Sequence, residues 1–378
     1  MEEFKKESYK NEFSTKNILL LMLVKQMNTL MIRYLNLLNN TVLKRNAMAK
    51  HNVRIVFMGT PDFAVESLRL LVENNYKVVG VVTVPDKPIG RHGSFLRSSP
   101  VKEYALSQGL PVLQPLKLKD ETFLSELRAL NADLQIVVAF RILPEVVWDM
   151  PRYGTFNLHG SLLPQYRGAA PINWAIIQGE KETGVTTFFL ANDMDTGRII
   201  CQQRLSIAET DNAGIIHDKL MVTGAALVLE TVDLLIAQEG IVETIPQEKL
   251  YHDLSELRPA PKIYQDTCRI KWQQPAKAIY NFIRGLSPYP AAWTEFEMPD
   301  GTYQILRIFE SEIVPQAHVL PSGTILSDSK TFLDIAVIDG YIRLLSVQLA
   351  GKKRLNIKNF LNGFKKLPEK VTNNKTSP

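Results

Sequence analysis

The 378-residue sequence predicts an α/β protein in which a mostly parallel sheet with helices on both faces is followed by a small β-barrel. Up to about residue 256, short apolar runs alternate with helical stretches, which is typical of parallel sheets buried on both faces. After residue 257, apolar residues recur at every second position in several short segments separated by turn residues. The proline-containing run at 258–263 marks the change and predicts a linker.

The first part begins with a buried strand at Arg54–Gly59, because this run is apolar and ends at a glycine. A helix should follow through Asn74, since Thr60 or Asp62 can cap its first turn and Pro61 suits that turn. The remaining predicted strands are Val78–Thr83, Leu134–Phe140, Gly154–Leu158, Val185–Leu190 and Ile199–Ile207, and the remaining predicted helices are Val101–Gln108 and Ile215–Ala237.

The second part should contain one helix and then only strands. The helix is predicted at Pro275–Leu286. The strands, each with period-2 alternation, are predicted at Ala292–Glu297, Tyr303–Glu310, Gly323–Leu326, Phe332–Ile338 and Tyr341–Leu349.

Charge divides the chain in the same way. Residues 51–256 hold 18 basic and 25 acidic side chains, whereas residues 257–378 hold 17 basic and 10 acidic ones. We therefore predict two domains, at 51–256 and 257–368, and a disordered polar tail at 369–378. A basic end after an acidic middle indicates a polyanionic partner for that end.

Residues 1–50 form a leader with a separate character. Met48 precedes the short segment 49–53 and then the first clean strand, so we expect the leader to be disordered or an extension of the true start site. Its apolar run, Ile18–Val24, is seven residues long, far short of the ~20 that span a bilayer. No membrane partner is therefore expected.

Several function classes lack their sequence signatures. The two cysteines are not paired in a CxxC motif, and the six histidines show no metal-ligand spacing, so no metal is expected. A nicotinamide oxidoreductase is disfavoured because the turn after the first strand has a single glycine, Gly59. In addition, Asp62 would repel a pyrophosphate at that helix N-terminus.

The densest polar constellation lies at Asn157 and His159. The two residues are two positions apart at the end of a predicted strand, so their side chains share one face. Ligands of open parallel sheets bind at the carboxyl ends of the strands, where an amide and an imidazole can polarise a carbonyl oxygen. Asp195 falls between two later strands and could orient the histidine, although a plain turn explains it equally well.

Several stretches together resemble the formyltetrahydrofolate-dependent transferases. The most specific is Asn157-Leu-His-Gly-Ser-Leu-Leu-Pro164 followed, 36 residues after His159, by the aspartate of Met194-Asp-Thr-Gly197. The other matching stretches are 59–64, 85–88 with Gly90-Arg91, 99–102, 167–172, 217–220 and 286–291, so the resemblance spans about residues 53–360.

The resemblance implies a Rossmann-like formyltransferase domain and a C-terminal OB-like barrel that helps to bind tRNA. It implies transfer of the formyl group of 10-formyltetrahydrofolate to the α-amino group of initiator methionyl-tRNA, for translation initiation in the cytoplasm. The family's catalytic trio matches Asn157, His159 and Asp195, and its folate-site segment matches Ser161, Leu162, Leu163 and Pro164. The key arginine of its tRNA-gripping loop matches Arg91.

The chemistry of these groups agrees with that activity. The acceptor amine is a good nucleophile, so the difficult species is the tetrahedral oxyanion on the formyl carbon. Asn157 and His159 can stabilise that oxyanion, and Asp195 can assist proton transfer. No metal is needed, and the protein is expected to act as a monomer.

A basic cluster supports the nucleic-acid partner independently of the resemblance. Lys352, Lys353 and Arg354 follow the last predicted strand, where a solvated charge run is the plain alternative. Two further rivals remain: a sister enzyme with a small acceptor such as glycinamide ribonucleotide or an amino sugar, and a catalytically silent RNA-binding module. The basic barrel disfavours the first, and the intact trio disfavours the second.

Overall fold

A seven-stranded sheet organises the first part of the chain. The structure is a computed structural model that describes residues 52–89, 95–298, 300–364 and 367–371. Its first nine strands are β1 (Arg54–Gly59), β2 (Lys77–Val82), β3 (Lys87–Ile89), β4 (Phe95–Arg97), β5 (Val112–Leu113), β6 (Leu134–Val138), β7 (Thr155–His159), β8 (Glu182–Phe189) and β9 (Ile199–Ser206).

The sheet order is β5-β2-β1-β6-β7-β8-β9. Strands β5, β2, β1, β6 and β7 are parallel neighbours, whereas β8 and β9 are antiparallel additions. Strands β3 and β4 form a separate antiparallel hairpin. The order reverses between β1 and β6, and ligands of doubly wound folds bind in the crevice at such a reversal. The predicted α/β class is confirmed.

Six helices in the described part of the chain accompany this sheet and cover both of its faces. They are α1 (Asp62–Glu73), α2 (Pro100–Ser107), α3 (Glu121–Ala129), α4 (Glu145–Trp148), α5 (Pro171–Ile177) and α6 (Ala213–Ala237). Helix α3 packs Phe123, Leu124 and Leu127 against one face of β1 and β6. Helix α6 packs against α1, β8 and β9, and Gly224 allows it to approach Leu158 closely.

Helix α6 is also the one helix in the described ranges that is long and apolar enough to cross a membrane. Half of its most apolar window is buried inside the protein. Its buried positions include Leu220, Val228 and Leu235, which lie within the core. We therefore interpret α6 as a core helix of this fold.

The second part is a curled antiparallel sheet with its own core, which confirms the predicted barrel-like architecture. It comprises α7 (Ala276–Leu286), β10 (Ala292–Glu297), β11 (Tyr303–Val314), β12 (Ile325–Ser327), β13 (Leu333–Val337), β14 (Gly340–Leu349), β15 (Leu355–Asn356) and α8 (Ile357–Leu361). The order is β10-β11-β14-β13-β12, and β15 pairs with β14. Irregular register around Glu310 lets the long strand β11 bend. Trp272 and Phe296 are fully buried at the centre of this core.

The predicted linker is not a free tether. The amide of Tyr166 donates to the carbonyl oxygen of Arg258 at 2.7 Å, and Ala260 donates to that of Arg167 at 2.8 Å. Residues 258–260 therefore run along the loop that follows β7, and the described residues from Val53 onward belong to one compact unit. A domain boundary near residue 257 stays a prediction. The predicted leader lies outside the described residues, as does the tail beyond residue 371.

Candidate active site

A cleft of about 660 Å³ opens at the carboxyl ends of β1, β6 and β7. Its walls come from the segments after β1 and β6, the end of β7, the start of α5 and the β8–β9 connection. Asn157, His159 and Asp195 all line it. The structure thus brings the three predicted catalytic side chains to one cavity at the edge of the sheet where ligands of this architecture bind.

Strand β7 presents Asn157 and His159 to the cleft from the same face. No side-chain hydrogen bond joins Asn157 to another residue within the described parts of the chain, so its amide can donate into the cleft. His159 is 6% exposed, and its Nε2 lies 2.8 Å from the carbonyl oxygen of Tyr166. Because a carbonyl only accepts, Nε2 carries the hydrogen, and Nδ1 is the nitrogen left for chemistry.

Asp195 completes the group from the loop between β8 and β9. Its Oδ2 lies 3.8 Å from Nδ1 of His159 and accepts a hydrogen bond from the amide of Gly168 at 2.9 Å. The backbone of Asp195 is left-handed, with φ of 56°, a conformation that aspartate adopts more readily than most residues. The carboxylate is therefore held beside the imidazole by a backbone donor and by the shape of its loop.

Two glycines make this loop arrangement possible. A Cβ on Gly168, where φ is 128°, would lie 2.4 Å from the carbonyl oxygen of Ala260. A Cβ on Gly197 would lie 1.6 Å from the carbonyl oxygen of Phe189. A side chain at Gly168 would therefore have to displace the backbone of Ala260, and one at Gly197 the backbone of Phe189.

The part of the cleft wall that follows β6 is mainly apolar. Leu143 and Trp148 line it together with Ala139, whose φ is 48°, and Ile142, which is largely exposed at the cleft. Arg141 also lines the cleft; its guanidinium donates to the carbonyl oxygens of Pro115 and Leu116 at 2.8 and 3.1 Å, and burial lowers its pKa. The wall can therefore receive a flat, partly apolar ring system.

The predicted folate-binding residues do not line this cleft. Ser161 is fully buried and donates to the carbonyl oxygen of Gln165 at 2.6 Å. The amide of Leu163 donates to Thr186, and the Leu163–Pro164 bond is cis. A Cβ on Gly184 would collide with Leu162. Ser161–Pro164 thus shape the turn that brings Tyr166 to His159, and their contact with folate stays a prediction.

Metal ligation finds no support in the described ranges. No group of three or more His, Cys, Asp or Glu side chains stands close enough there to hold a metal ion.

Comparisons with known proteins identify the family. A family model described as formyl transferase matches residues 53–232, and a formyl transferase C-terminal domain model matches residues 262–365. The chain is 66% identical over 322 residues to the methionyl-tRNA formyltransferase of Parabacteroides distasonis, covering 85% of this chain and 99% of that protein. It is 51% identical over 312 residues to the same enzyme from Flavobacterium johnsoniae, covering 82% and 96%.

This chain belongs to the methionyl-tRNA formyltransferase family.

Solved structures agree at the level of the fold. HypX from Aquifex aeolicus in complex with tetrahydrofolic acid has a TM-score of 0.55 at 18% identity, covering 82% of this chain and 47% of that one. An N-formyltransferase from Helicobacter canadensis, with folinic acid and dTDP-3-aminofucose, has a TM-score of 0.52 at 20% identity, covering 79% and 99%. Both structures support the Rossmann-like formyltransferase architecture.

Of the residues predicted to bind tRNA, two are exposed lysines, one is an arginine that already has intramolecular partners, and one lies outside the described residues. Lys352 and Lys353 are exposed beyond β14. Arg354 is engaged: it donates to Ser346 at 2.7 Å, pairs with Glu310 and lies 4.4 Å from the ring centroid of Phe309. Arg91 lies outside the described residues. The tRNA-binding role of all four stays a prediction.

The sequence analysis did not predict a second cleft, which has a volume of about 350 Å³. It shares Ala169, Ala170 and Asn173 with the first cleft and lies between α5 and the barrel. Its lining includes Lys262 and Arg307 together with three aromatic residues, Tyr264, Tyr289 and Trp293. The tyrosines are 60% and 83% exposed. These residues come from several separate segments of the chain, so no local sequence pattern predicts this cleft.

Proposed function

We propose that this chain transfers the formyl group of 10-formyltetrahydrofolate to the α-amino group of methionyl-tRNA. The single observation that carries the proposal is the convergence of Asn157, His159 and Asp195 in one cleft of a methionyl-tRNA formyltransferase family member. The trio supplies a donor, a titratable base and a carboxylate, which are the groups that acyl transfer to an amine requires.

The first cleft suits the folate donor. Its volume of about 660 Å³ falls within the range of small-molecule sites, about 300–1,000 Å³. A flat pterin can lie against the wall formed by Ala139, Leu143 and Trp148, with the formyl-bearing N10 directed toward Asn157 and His159. This pose uses the apolar wall for affinity and the trio for chemistry.

Attack of the neutral amine on the formyl carbon forms a C–N bond and places a negative charge on the formyl oxygen. The Asn157 amide can donate to that oxyanion because no described residue engages it. Once it has taken a proton from the attacking amine, His159 can donate as well, through Nδ1. Removal of one such donor typically costs about 2.7–4 kcal/mol of activation free energy.

The proton balance follows from the hydrogen bonds of His159. The attacking nitrogen must lose one proton, and N10 must gain one when its bond to the formyl carbon breaks. Nδ1 is the ring nitrogen that can take this proton, since Nε2 is bound to Tyr166. Asp195, 3.8 Å away, faces the positive charge that the imidazole then carries. The products are formylmethionyl-tRNA and tetrahydrofolate.

The tRNA should bind along the second cleft and the barrel. Proteins that hold single-stranded nucleic acid combine basic side chains with aromatic rings on which bases stack. Lys262, Arg307, Tyr264 and Tyr289 provide that combination next to the first cleft. Lys352 and Lys353 can add phosphate contacts from the barrel surface, and these make binding dependent on salt.

We further propose that the protein acts in the cytoplasm as a monomer with initiator methionyl-tRNA as its partner. Interpretation of α6 as a core helix supports an enzyme without a membrane partner.

The test offers 10-formyltetrahydrofolate and one acceptor at a time to the purified full chain. We expect formyl transfer to charged methionyl-tRNA and none to glycinamide ribonucleotide or an amino sugar nucleotide. Transfer only to a small amine would establish the sister-enzyme alternative. No transfer to any acceptor, together with tRNA binding, would leave the RNA-binding module.

A further inference from the structure

Gln247 is a fully buried glutamine whose side-chain amide makes four hydrogen bonds next to the trio. It begins a short 3₁₀ turn, Gln247–Lys249, well outside every motif of the sequence analysis. Its Nε2 donates to the carbonyl oxygens of Asp195 at 2.9 Å and Gly197 at 2.7 Å. Its Oε1 accepts from Nε and Nη2 of Arg167 at 3.0 and 2.7 Å.

These bonds join the two loops that cradle the Asp195 carboxylate. Arg167 directly precedes Gly168, whose amide donates to Asp195 Oδ2. Gly197 lies two residues after Asp195, whose φ is 56°. Gln247 therefore ties the loop that supplies the backbone donor to the loop that supplies the carboxylate, from the side away from the cleft.

Backbone hydrogen bonds also fix the segment that carries Gln247. Ile245 exchanges two backbone hydrogen bonds of 2.9 Å with Ile199, at the start of β9. The amide is thus held in register with the strand that the Asp195 loop enters. A buried amide with all its bonds made has one orientation, and a partly satisfied one is costly.

We propose that Gln247 is a positioning residue for formyl transfer, which sets the distance between the Asp195 carboxylate and Nδ1 of His159 without touching substrate. The inference rests on the proposed function. It predicts that loss of the two donor bonds releases the left-handed turn at Asp195. A displacement of about 1 Å in a catalytic group can lower the rate about 100-fold.

Two substitutions distinguish two roles of Gln247: positioning Asp195 through the two bonds that it donates, and merely supporting the Arg167 side chain through the two bonds that it accepts. Gln247→Met keeps the length of the side chain and removes all four bonds. Gln247→Glu keeps an oxygen for Arg167 but replaces the donor nitrogen with an oxygen that faces two carbonyl oxygens. We expect both variants to lose about 100-fold in kcat, with KM for both substrates near the wild-type value. Wild-type kcat in Gln247→Glu would overturn the inference.

A matched control and a double-mutant cycle exclude a general structural effect. Gln135 is a similarly buried glutamine in β6 that accepts a hydrogen bond from Thr155 and does not line the first cleft. Gln135→Met should lower thermal stability and leave kcat unchanged. In an Asp195→Asn background, Gln247→Met should cause little further loss, because residues that act through one another are not additive. If the double variant instead shows the product of the two single losses in kcat, the inference is contradicted.

The same experiment distinguishes two kinds of failure. Absence of formyl transfer by the wild-type protein would contradict the proposed function. Normal transfer by the wild type and by both Gln247 variants would contradict only the positioning role. If both variants fail to fold, the inference also falls, because Gln247 is then a residue of the global core rather than of the Asp195 loop.

Discussion

The carbonyl oxygen of Tyr166 accepts a hydrogen bond from Nε2 of His159 at 2.8 Å, and this contact decides which nitrogen of the histidine faces the cleft. Tyr166 is buried, with φ of 61°, and its hydroxyl donates to Glu180 at 2.6 Å. Burial and this bond raise the pKa of the phenol, so it stays protonated. Its amide is bound to Arg258 of the linker. The orientation of His159 thus depends on a backbone group seven residues away and on a linker beyond the first sheet.

His159→Ala and Asp195→Asn should each lose about 100- to 1,000-fold in kcat, since each removes a group that acts on the developing charge. Steady-state kinetics with both substrates saturating give the effect, and thermal unfolding reports whether the variants fold. His252→Ala, at an exposed histidine outside the cleft, is the matched control. Near-normal kcat in both variants would remove the assignment of the trio.

Charge reversal at Lys352, Lys353 and Arg354 should raise KM for tRNA more than KM for the folate donor, because phosphate contacts dominate nucleic-acid affinity. The two exposed lysines should contribute most of the effect, since Arg354 is already engaged with Glu310 and Ser346. Kinetics at several salt concentrations measure it. Lys330→Glu, in the β12–β13 connection, is the control. Equal changes in both KM values would speak against the basic cluster.

Tyr264→Ala and Tyr289→Ala should weaken tRNA binding, each by about 1–3 kcal/mol, if bases stack on these rings in the second cleft. A direct binding titration with methionyl-tRNA measures the loss. The corresponding Tyr→Phe variants keep the ring and should bind normally. Unchanged affinity in both alanine variants would mean that the acceptor end takes another path.

Gly197→Ala should be more damaging than its size suggests, because the new methyl group meets the carbonyl oxygen of Phe189. We expect a loss of stability of at least about 1–3 kcal/mol, the usual cost of forcing extra atoms into a packed site, together with a fall in kcat as the Asp195 loop moves. Thermal unfolding and kinetics measure the two effects. Gly109→Ala is the control: the space there is open, so only the left-handed backbone, with φ of 66°, costs stability, and kcat should be unchanged. Wild-type behaviour of Gly197→Ala would contradict the described packing of this loop.

Part of the site and the architecture of both sheets can be predicted from the sequence, for physical reasons. Strand period 2 places Asn157 and His159 on one face, and parallel strands gather their carboxyl ends at one edge. The curled second sheet follows from its alternating strands, although β11 continues to Val314, beyond the predicted Glu310. Bulged register there interrupts the alternation that predicts a strand.

Other parts have no local signature. Helix α3 was missed although Asp120 caps it through two backbone amides, since its nine residues are too short for a clear helical period. The supports of the trio are a carbonyl of Tyr166, an amide of Gly168 and the distant Gln247. The positions of backbone carbonyls and amides cannot be predicted from residue types. Gln247 is far from Asp195 in sequence, and only the fold brings the two together.

The most direct test of the account is a crystal structure of the protein with a non-transferable analogue of 10-formyltetrahydrofolate. The account predicts that the oxygen of the one-carbon group lies within about 3 Å of the Asn157 amide, on the side of the cleft that holds Nδ1 of His159 and the Asp195 carboxylate. An analogue bound with that oxygen directed away from Asn157 and His159 would contradict it.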